Sequence, residues 1–309
     1  MRAPATTILW LILLVPPYPA FGSSSHKCKH PACDINASGH RERFNNHSVG
    51  NWYSTEREKE IGGKYATTIE QKVDIVKDAA ISDYIDRVAQ RIVRNSDADM
   101  PITVRLIRRN DAGAFTLWGG HLYLTTGLLL KLQSEGELAS VVARGIAHTA
   151  MHSVARLQTR ATLLQAASIP VIDLDGLQAP SGSDLSVPTL GLVKFQRDFE
   201  LQADYFGIQY VYKSGYDPNC FLSAVQSFWQ PDPSTTLSKA ISPFPPLPER
   251  LKMLRQEIDD ILPGRAEGVV SSSEFDKFLE HLRQIALPVS RPERESQPKL
   301  IRHDPASNQ

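Results

Sequence analysis

The reading of the fold turns on Glu137-Leu138-Ala139-Ser140-Val141-Val142-Ala143-Arg144-Gly145-Ile146-Ala147-His148-Thr149-Ala150-Met151-His152. The run around it, from Glu135 to about Leu164, lacks proline and, apart from Gly136 and Gly145, lacks glycine. It reads as one long helix. Residues four apart lie on one helix face, so Arg144, His148 and His152 line up. A second helix is read from about Leu192 to Lys213, ended by Ser214-Gly215 with Pro218 beyond. It carries Phe199-Glu200-Leu201-Gln202-Ala203-Asp204, with Glu200 and Asp204 sharing a face. If the two helices pack together, His148 and Glu200 meet.

Working outward, Ser54-Thr55-Glu56 starts a charged helix reaching about Ile69, and Ile81, Tyr84, Ile85, Val88 and Ile92 fall at helical spacing. Ile102-Thr103-Val104-Arg105-Leu106-Ile107 alternates at period two and reads as a strand. Phe115 to Trp118, Gly119-Gly120, and His121 to Leu124 read as a hairpin on a two-residue turn, with Phe115, Trp118 and Tyr123 on the core face of its sheet. Thr125 or Thr126 caps a short helix. Helices follow at Pro218 to Phe228, Glu249 to Ile261 and Ser273 to Ile285, and residues 167–188 form a long Pro-, Gly-, Ser- and Asp-rich loop. Helices, a small sheet, then helices give an α+β class: mostly helical, with a small mixed sheet and hairpin.

The 34 basic and 34 acidic side chains balance, which leaves no electrostatic footprint for nucleic acid or an anionic membrane surface. Hydrophobic residues at 41% and charged residues at 22% exclude gross disorder. Arg2 precedes the apolar run Ile8 to Val15, then Pro16, Pro17 and Pro19, then Ala20-Phe21-Gly22. Residues 1–22 read as a secretory signal peptide, with an uncleaved anchor as the alternative. The run is shorter than the about 20 apolar residues of a spanning helix, and no later segment approaches that length. The expectation is an exported protein, periplasmic or extracellular, with no integral membrane segment after cleavage. Residues 23–50 read as a polar linker, 51–287 as the folded domain and 288–309 as a disordered tail. Three cysteines are too few for a disulfide scaffold. His26, Cys28, His30 and Cys33 match no zinc template well, and a Cys28–Cys33 disulfide or an unstructured leader is favoured. Cys220 is left over and is expected to be buried.

Beyond these elements, the chain resembles a zinc metallopeptidase of the HtpX and CAAX prenyl endopeptidase type over roughly residues 50–260. Gly113 to Leu129 looks like that family's edge strand and following helix, and Glu137-Leu138-Ala139 like the start of its active-site helix. Glu200-Leu201-Gln202-Ala203-Asp204 matches its Glu-x-x-x-Asp motif. Gly215-Tyr216-Asp217-Pro218 and Pro245-Pro246-Leu247-Pro248-Glu249-Arg250-Leu251 match later blocks. The resemblance implies a gluzincin-like domain, zinc as cofactor, and proteins or peptides as partners.

The departures fall on the chemistry. The family pattern is His-Glu-x-x-His, two zinc ligands one turn apart with the glutamate as general base. Here those positions read Arg144-Gly145-Ile146-Ala147-His148. The family's later His-Pro-Pro is Phe244-Pro245-Pro246. What the resemblance leaves is His148 and Glu200 at metal-ligand positions, Asp204 and Arg144 beside them, and Gly145 at the general-base position. A catalytic zinc is typically held by three protein ligands, so two make a weak site, and a guanidinium nearby opposes a cation. The hypothesis is that Arg144 replaces zinc as the counter-charge for Glu200 and Asp204. A general base contributes about 10²- to 10⁴-fold, and none stands at Gly145. Other readings stay open: His148 as a core histidine, Glu200 and Asp204 as plain salt-bridge partners, a shifted His148/His152/Glu200 triad with His152 otherwise a partly exposed helix residue, and His121 as a sheet-surface residue.

Three function classes follow. The favoured one is a catalytically impaired exported member of the fold that binds protein or peptide, or acts in a chaperone-like way. The second is an active zinc metalloendopeptidase that cleaves envelope proteins with rearranged ligands. The third is a purely structural envelope protein.

Overall fold

The computed structural model describes residues 34–41, 50–166, 190–228, 242, 244–264 and 268–286. The signal-peptide reading, Cys28, Cys33, the 167–188 loop and the 288–309 tail lie outside these residues. One hydrophobic core runs from Ile35 to Leu282.

Helix α1 (Thr55–Glu70) starts where the Ser54 side chain accepts from Arg57 N, with Glu56 and Glu58 in its first turn, where the helix dipole favours acids. Helix α2 (Ala79–Val93) is capped by Asp78 and buries Ile81, Tyr84, Ile85, Val88 and Ile92 along one face. Strands β1 (Thr103–Ile107), β2 (Ala114–Thr116) and β3 (His121–Thr125) form a mixed sheet in the order β1-β3-β2, with β1 parallel and β2 antiparallel to β3. The α+β expectation, a mostly helical chain with a small mixed sheet, therefore holds.

The β2–β3 connection is longer than a two-residue turn. Leu117 N donates to His121 O at 2.8 Å across a 3-10 turn over Trp118–Gly120. Gly120 sits at φ 83°, and a Cβ there would lie 2.2 Å from Pro101 O, so only glycine fits. Tyr123 is fully buried, but Phe115 is 38% exposed and stacks on Tyr123 at 5.1 Å. The expectation that Phe115 fills the core is corrected: in a three-residue edge strand its face is only partly covered.

Thr125 caps the short α3 (Thr126–Leu129). Helix α4 (Glu135–Ala150) is the centre of the fold, and every residue in it except His148 is buried. The single long helix expected here is two. After α4, Met151 and His152 form a turn, His152 takes φ 51°, and α5 (Ser153–Ala166) leaves in a new direction. Helix α6 (Leu190–Lys213) packs along α4 and ends at Gly215, φ 87°, where Tyr216 N donates back to Val211 O. Helices α7 (Asn219–Phe228), α8 (Leu247–Asp260) and α9 (Ser273–Ala286) complete the body, and α9 lays Phe278 on Tyr84 of α2 at 4.6 Å. Free Cys220 is buried on α7.

Within the stretch expected to be polar linker, Asp34–Arg41 lies on the body. Ser38 Oγ donates to Asn95 O, Arg41 Nη1 pairs with Asp97 Oδ2 at 2.9 Å, and Arg41 Nη2 donates to Gln209 Oε1. Both partners of the Arg41–Asp97 pair are almost fully buried. Among the described residues no helix is long and apolar enough to cross a membrane.

Candidate functional site

Three helices position the site. Arg144, Gly145 and His148 lie on α4, Glu200 and Asp204 on α6, and Arg250 on α8. Close approach of α4 and α6 depends on Gly207, which follows Glu200 and Asp204 on the same face of α6. A Cβ at Gly207 would meet the Phe221 ring at 2.8 Å and Arg144 Cα at 3.3 Å.

The geometry is a closed ladder of charge. Arg144 donates from Nε to Asp204 Oδ1 at 2.9 Å and from Nη2 to Glu200 Oε2. Arg250 donates from Nε to Asp204 Oδ2 at 2.6 Å and from Nη2 to Asp204 Oδ1 at 2.9 Å. Asp204 is completely buried. Burial alone would raise its carboxyl, but the Arg250 and Arg144 guanidiniums outweigh burial and hold it below the usual carboxylate range. Burial lowers Arg144 to about 10, with Asp204 opposing the fall, so it stays cationic at neutral pH. Burial, and then the Arg144 charge, push His148 down to about 3, so its imidazole is neutral. His148 Nε2 stands 3.7 Å from Glu200 Oε1. That is beyond hydrogen-bond range.

These residues do not fit a catalytic zinc. A catalytic zinc needs three protein ligands and an open position. His148 and Glu200 supply two donors, and Glu200 already faces a permanent cation. Among the described residues no three His, Cys, Asp or Glu side chains gather as a metal site. At the general-base position a Cβ on Gly145 would lie 2.7 Å from Leu122 Cδ1 and 3.2 Å from Thr116 Oγ1. The space a carboxylate arm would cross is taken by the sheet.

Over this ladder opens a cleft of about 340 Å³. Edge strand β2 forms one wall with Ala114, Phe115 and Thr116, and α5, α6 and Phe244 form the other. The sequence reading missed Ser153, Val154, Leu157, Gln196 and Phe199 in this lining, because no motif marks them. His152 is not part of it. The shifted triad is corrected: His152 is buried in the α4–α5 turn, its Nδ1 is 2.9 Å from Glu58 Oε1, and its Nε2 is 3.5 Å from Asp99 Oδ2. Burial lowers its pKa, but those two carboxylates outweigh burial and raise it to about 9. His121 lies outside the cleft lining and pairs with Thr103 Oγ1 at 2.9 Å.

The model of Peptidase family M48 matches residues 79–258. Over 181 residues the chain is 29% identical to a putative beta-barrel assembly-enhancing protease of Vibrio cholerae, covering 55% of this chain and 37% of that one. It is 27% identical over 251 residues to the beta-barrel assembly-enhancing protease of Escherichia coli K12, covering 78% and 50%. It is 32% identical over 154 residues to the mitochondrial metalloendopeptidase OMA1 of Schizosaccharomyces pombe, covering 48% and 42%. The chain thus spans half or less of the length of these relatives.

Proposed function

Given that this chain belongs to peptidase family M48, a family of zinc metallopeptidases, we propose that it keeps the family's polypeptide cleft but has lost its hydrolytic centre, and that it binds polypeptide without cutting it. The observation that carries this reading is Arg144. Its guanidinium lies between Glu200 and Asp204, where it supplies the positive charge a metal would otherwise bring. Gly145 removes the proton acceptor one residue on. Neutral His148 retains an acceptor nitrogen, 3.7 Å from Glu200.

Binding itself has support. β2 is an edge strand, and an extended chain can add to such an edge through main-chain hydrogen bonds. The cleft beside it is mainly apolar, and its charges neutralise one another. An extended, uncharged segment is the occupant these features favour. Two relatives are named for enhancing beta-barrel assembly, which favours strand-forming envelope polypeptides as partners and a chaperone-like role in an exported location.

The test is metal content together with cleavage. Purified protein, dialysed against zinc and then against buffer, is expected to carry well under one zinc per chain by elemental mass spectrometry. It is expected to leave unfolded casein intact while binding it. Near-stoichiometric zinc that disappears in His148→Ala, with casein cleavage, would overturn the reading in favour of an active endopeptidase.

A further inference from the structure

We propose that the cleft contains a subsite for a carboxamide side chain, formed by Ser153 and Gln196 and distinct from the Arg144–Glu200 pair. The proposal rests on the polypeptide-binding reading above and names which residue of the bound segment the cleft selects.

Ser153 opens α5 directly after the turn at His152 and is only 5% exposed. Its Oγ is buried and has no hydrogen-bond partner among the described residues. Gln196 stands on α6, one turn before Glu200, and its Oε1 is likewise buried without a partner among the described residues. Both residues line the cleft, and α5 packs against α6. A buried polar atom left unpaired is unfavourable, and native proteins contain few. Two of them share one cavity here. Of the other polar groups of that cavity, Arg144 holds Glu200 and Thr116 Oγ1 reaches Gly145 O at 3.5 Å, while neutral His148 faces Glu200 at 3.7 Å.

The donor and acceptor pattern selects the ligand group. Gln196 Oε1 can only accept, while Ser153 Oγ can donate or accept. A group with both an N–H and a C=O answers them, and a primary carboxamide has both. An ammonium would lose its hydration with no spare carboxylate to meet it, because Glu200 already faces Arg144. A carboxylate would lose its hydration with no spare cation to meet it, because Arg144 already pairs with Glu200 and Asp204. Val154, Leu157 and Phe199 supply an apolar wall for the methylene stem of a glutamine. A main-chain peptide group offers the same atoms, so the test separates the two sources.

Labelled apolar heptapeptides of one sequence, with Gln, Leu, Glu or Lys at the centre, are titrated by fluorescence anisotropy into the full chain and into Ser153→Ala and Gln196→Leu. The Gln peptide should bind the unaltered protein about 5- to 10-fold more tightly than the Leu peptide, with Glu and Lys weakest. Each substitution should bring the Gln-to-Leu ratio close to one while leaving the Leu peptide within about twofold. Without peptide, each variant should melt about 2–4 °C higher, because an unpaired buried polar atom has been removed. Equal binding of Gln and Leu peptides, or a preference that survives both substitutions, overturns the subsite and leaves peptide binding standing. A Leu peptide that weakens in both variants assigns the two atoms to the main chain and overturns the side-chain proposal. Variants that melt lower would mean the two atoms are partnered in the free protein, and would also overturn it. Failure of every peptide to bind removes the polypeptide-binding reading and the subsite with it.

Discussion

Replacing Arg144 by alanine tests whether the guanidinium holds α4 to α6. Asp204 survives the change well, because Arg250 keeps both its bonds, at 2.6 and 2.9 Å. Glu200 does not. Its side chain is 18% exposed, and His148, 3.7 Å away, is held neutral first by burial, which the substitution leaves in place. Removing one partner of a buried ion pair typically costs about 3–5 kcal/mol. The cover Arg250 gives Asp204 and the partial exposure of Glu200 place Arg144→Ala at the lower end, about 3 kcal/mol. For a body of this size that is roughly a 6–12 °C fall in Tm. Urea unfolding followed by circular dichroism, with calorimetry alongside, measures it. Arg144→Ala combined with Glu200→Ala leaves no uncompensated carboxylate, so the double variant should be more stable than the single, with a coupling of about 1–3 kcal/mol. A single variant within about 0.5 kcal/mol of the unaltered protein, or a double variant no better than the single, would refute the reasoning.

Chelation should leave the Tm of the unaltered protein unchanged. Arg144→His completes a His-His-Glu donor set, and zinc at 100 times its Kd should then stabilise that variant by about 2.7 kcal/mol. The pH dependence has a definite sign. His152 titrates at about 9 when folded and about 6.5 when unfolded, so its contribution, on the order of 3 kcal/mol, is complete below pH 6.5 and lost as pH rises through 9. Calorimetry of His152→Asn, a residue that tolerates positive φ, should show that slope flattened. Burial pushes the Glu257 carboxyl up to about 8, so the folded state loses stability as pH rises from the ordinary carboxylate range through 8, and Glu257→Gln should melt higher than the unaltered protein at pH 9. Gly207→Ala should destabilise by about 1–3 kcal/mol despite alanine's better helix propensity, because the fully buried Phe221 ring stands 2.8 Å from the new Cβ; a rise in Tm would refute the close-approach account.

Local periodicity carried the regular elements. The helical spacing from Ile81 to Ile92 follows from one buried face, Ser54 caps its helix through its own side chain, and the period-two run marks strand β1 although its end buries the adjacent Leu106 and Ile107 on both faces. The pairing of Arg144 with Glu200 and Asp204 was legible because i, i+4 spacing puts each set on one face. The break at His152 was not, since neither proline nor glycine marks it. It is held by Glu58 and Asp99, far along the chain, and local propensity cannot register such partners. Ser153 and Gln196 were invisible for a similar reason: the Oγ of one and the Oε1 of the other have no partner among the described residues, and such atoms leave no motif.

The Asp34–Arg41 segment sets an order of events. Arg41 finds Asp97 only 56 positions on, but Gln209 lies 168 positions on, and Gln209 in turn donates to Glu257 at 2.7 Å. A chain emerging from its N-terminus therefore presents this arginine long before its pocket exists. Closing the longer loop costs only about 1 kcal/mol more chain entropy than closing the shorter one, so the delay lies in the wait for α6 to be present. Until residue 209 joins the body Arg41 can reach Asp97 but not Gln209, and any fragment that stops short of it also deprives Asp97 of the Tyr210 hydroxyl, leaving the Asp34–Arg41 segment held from one side only.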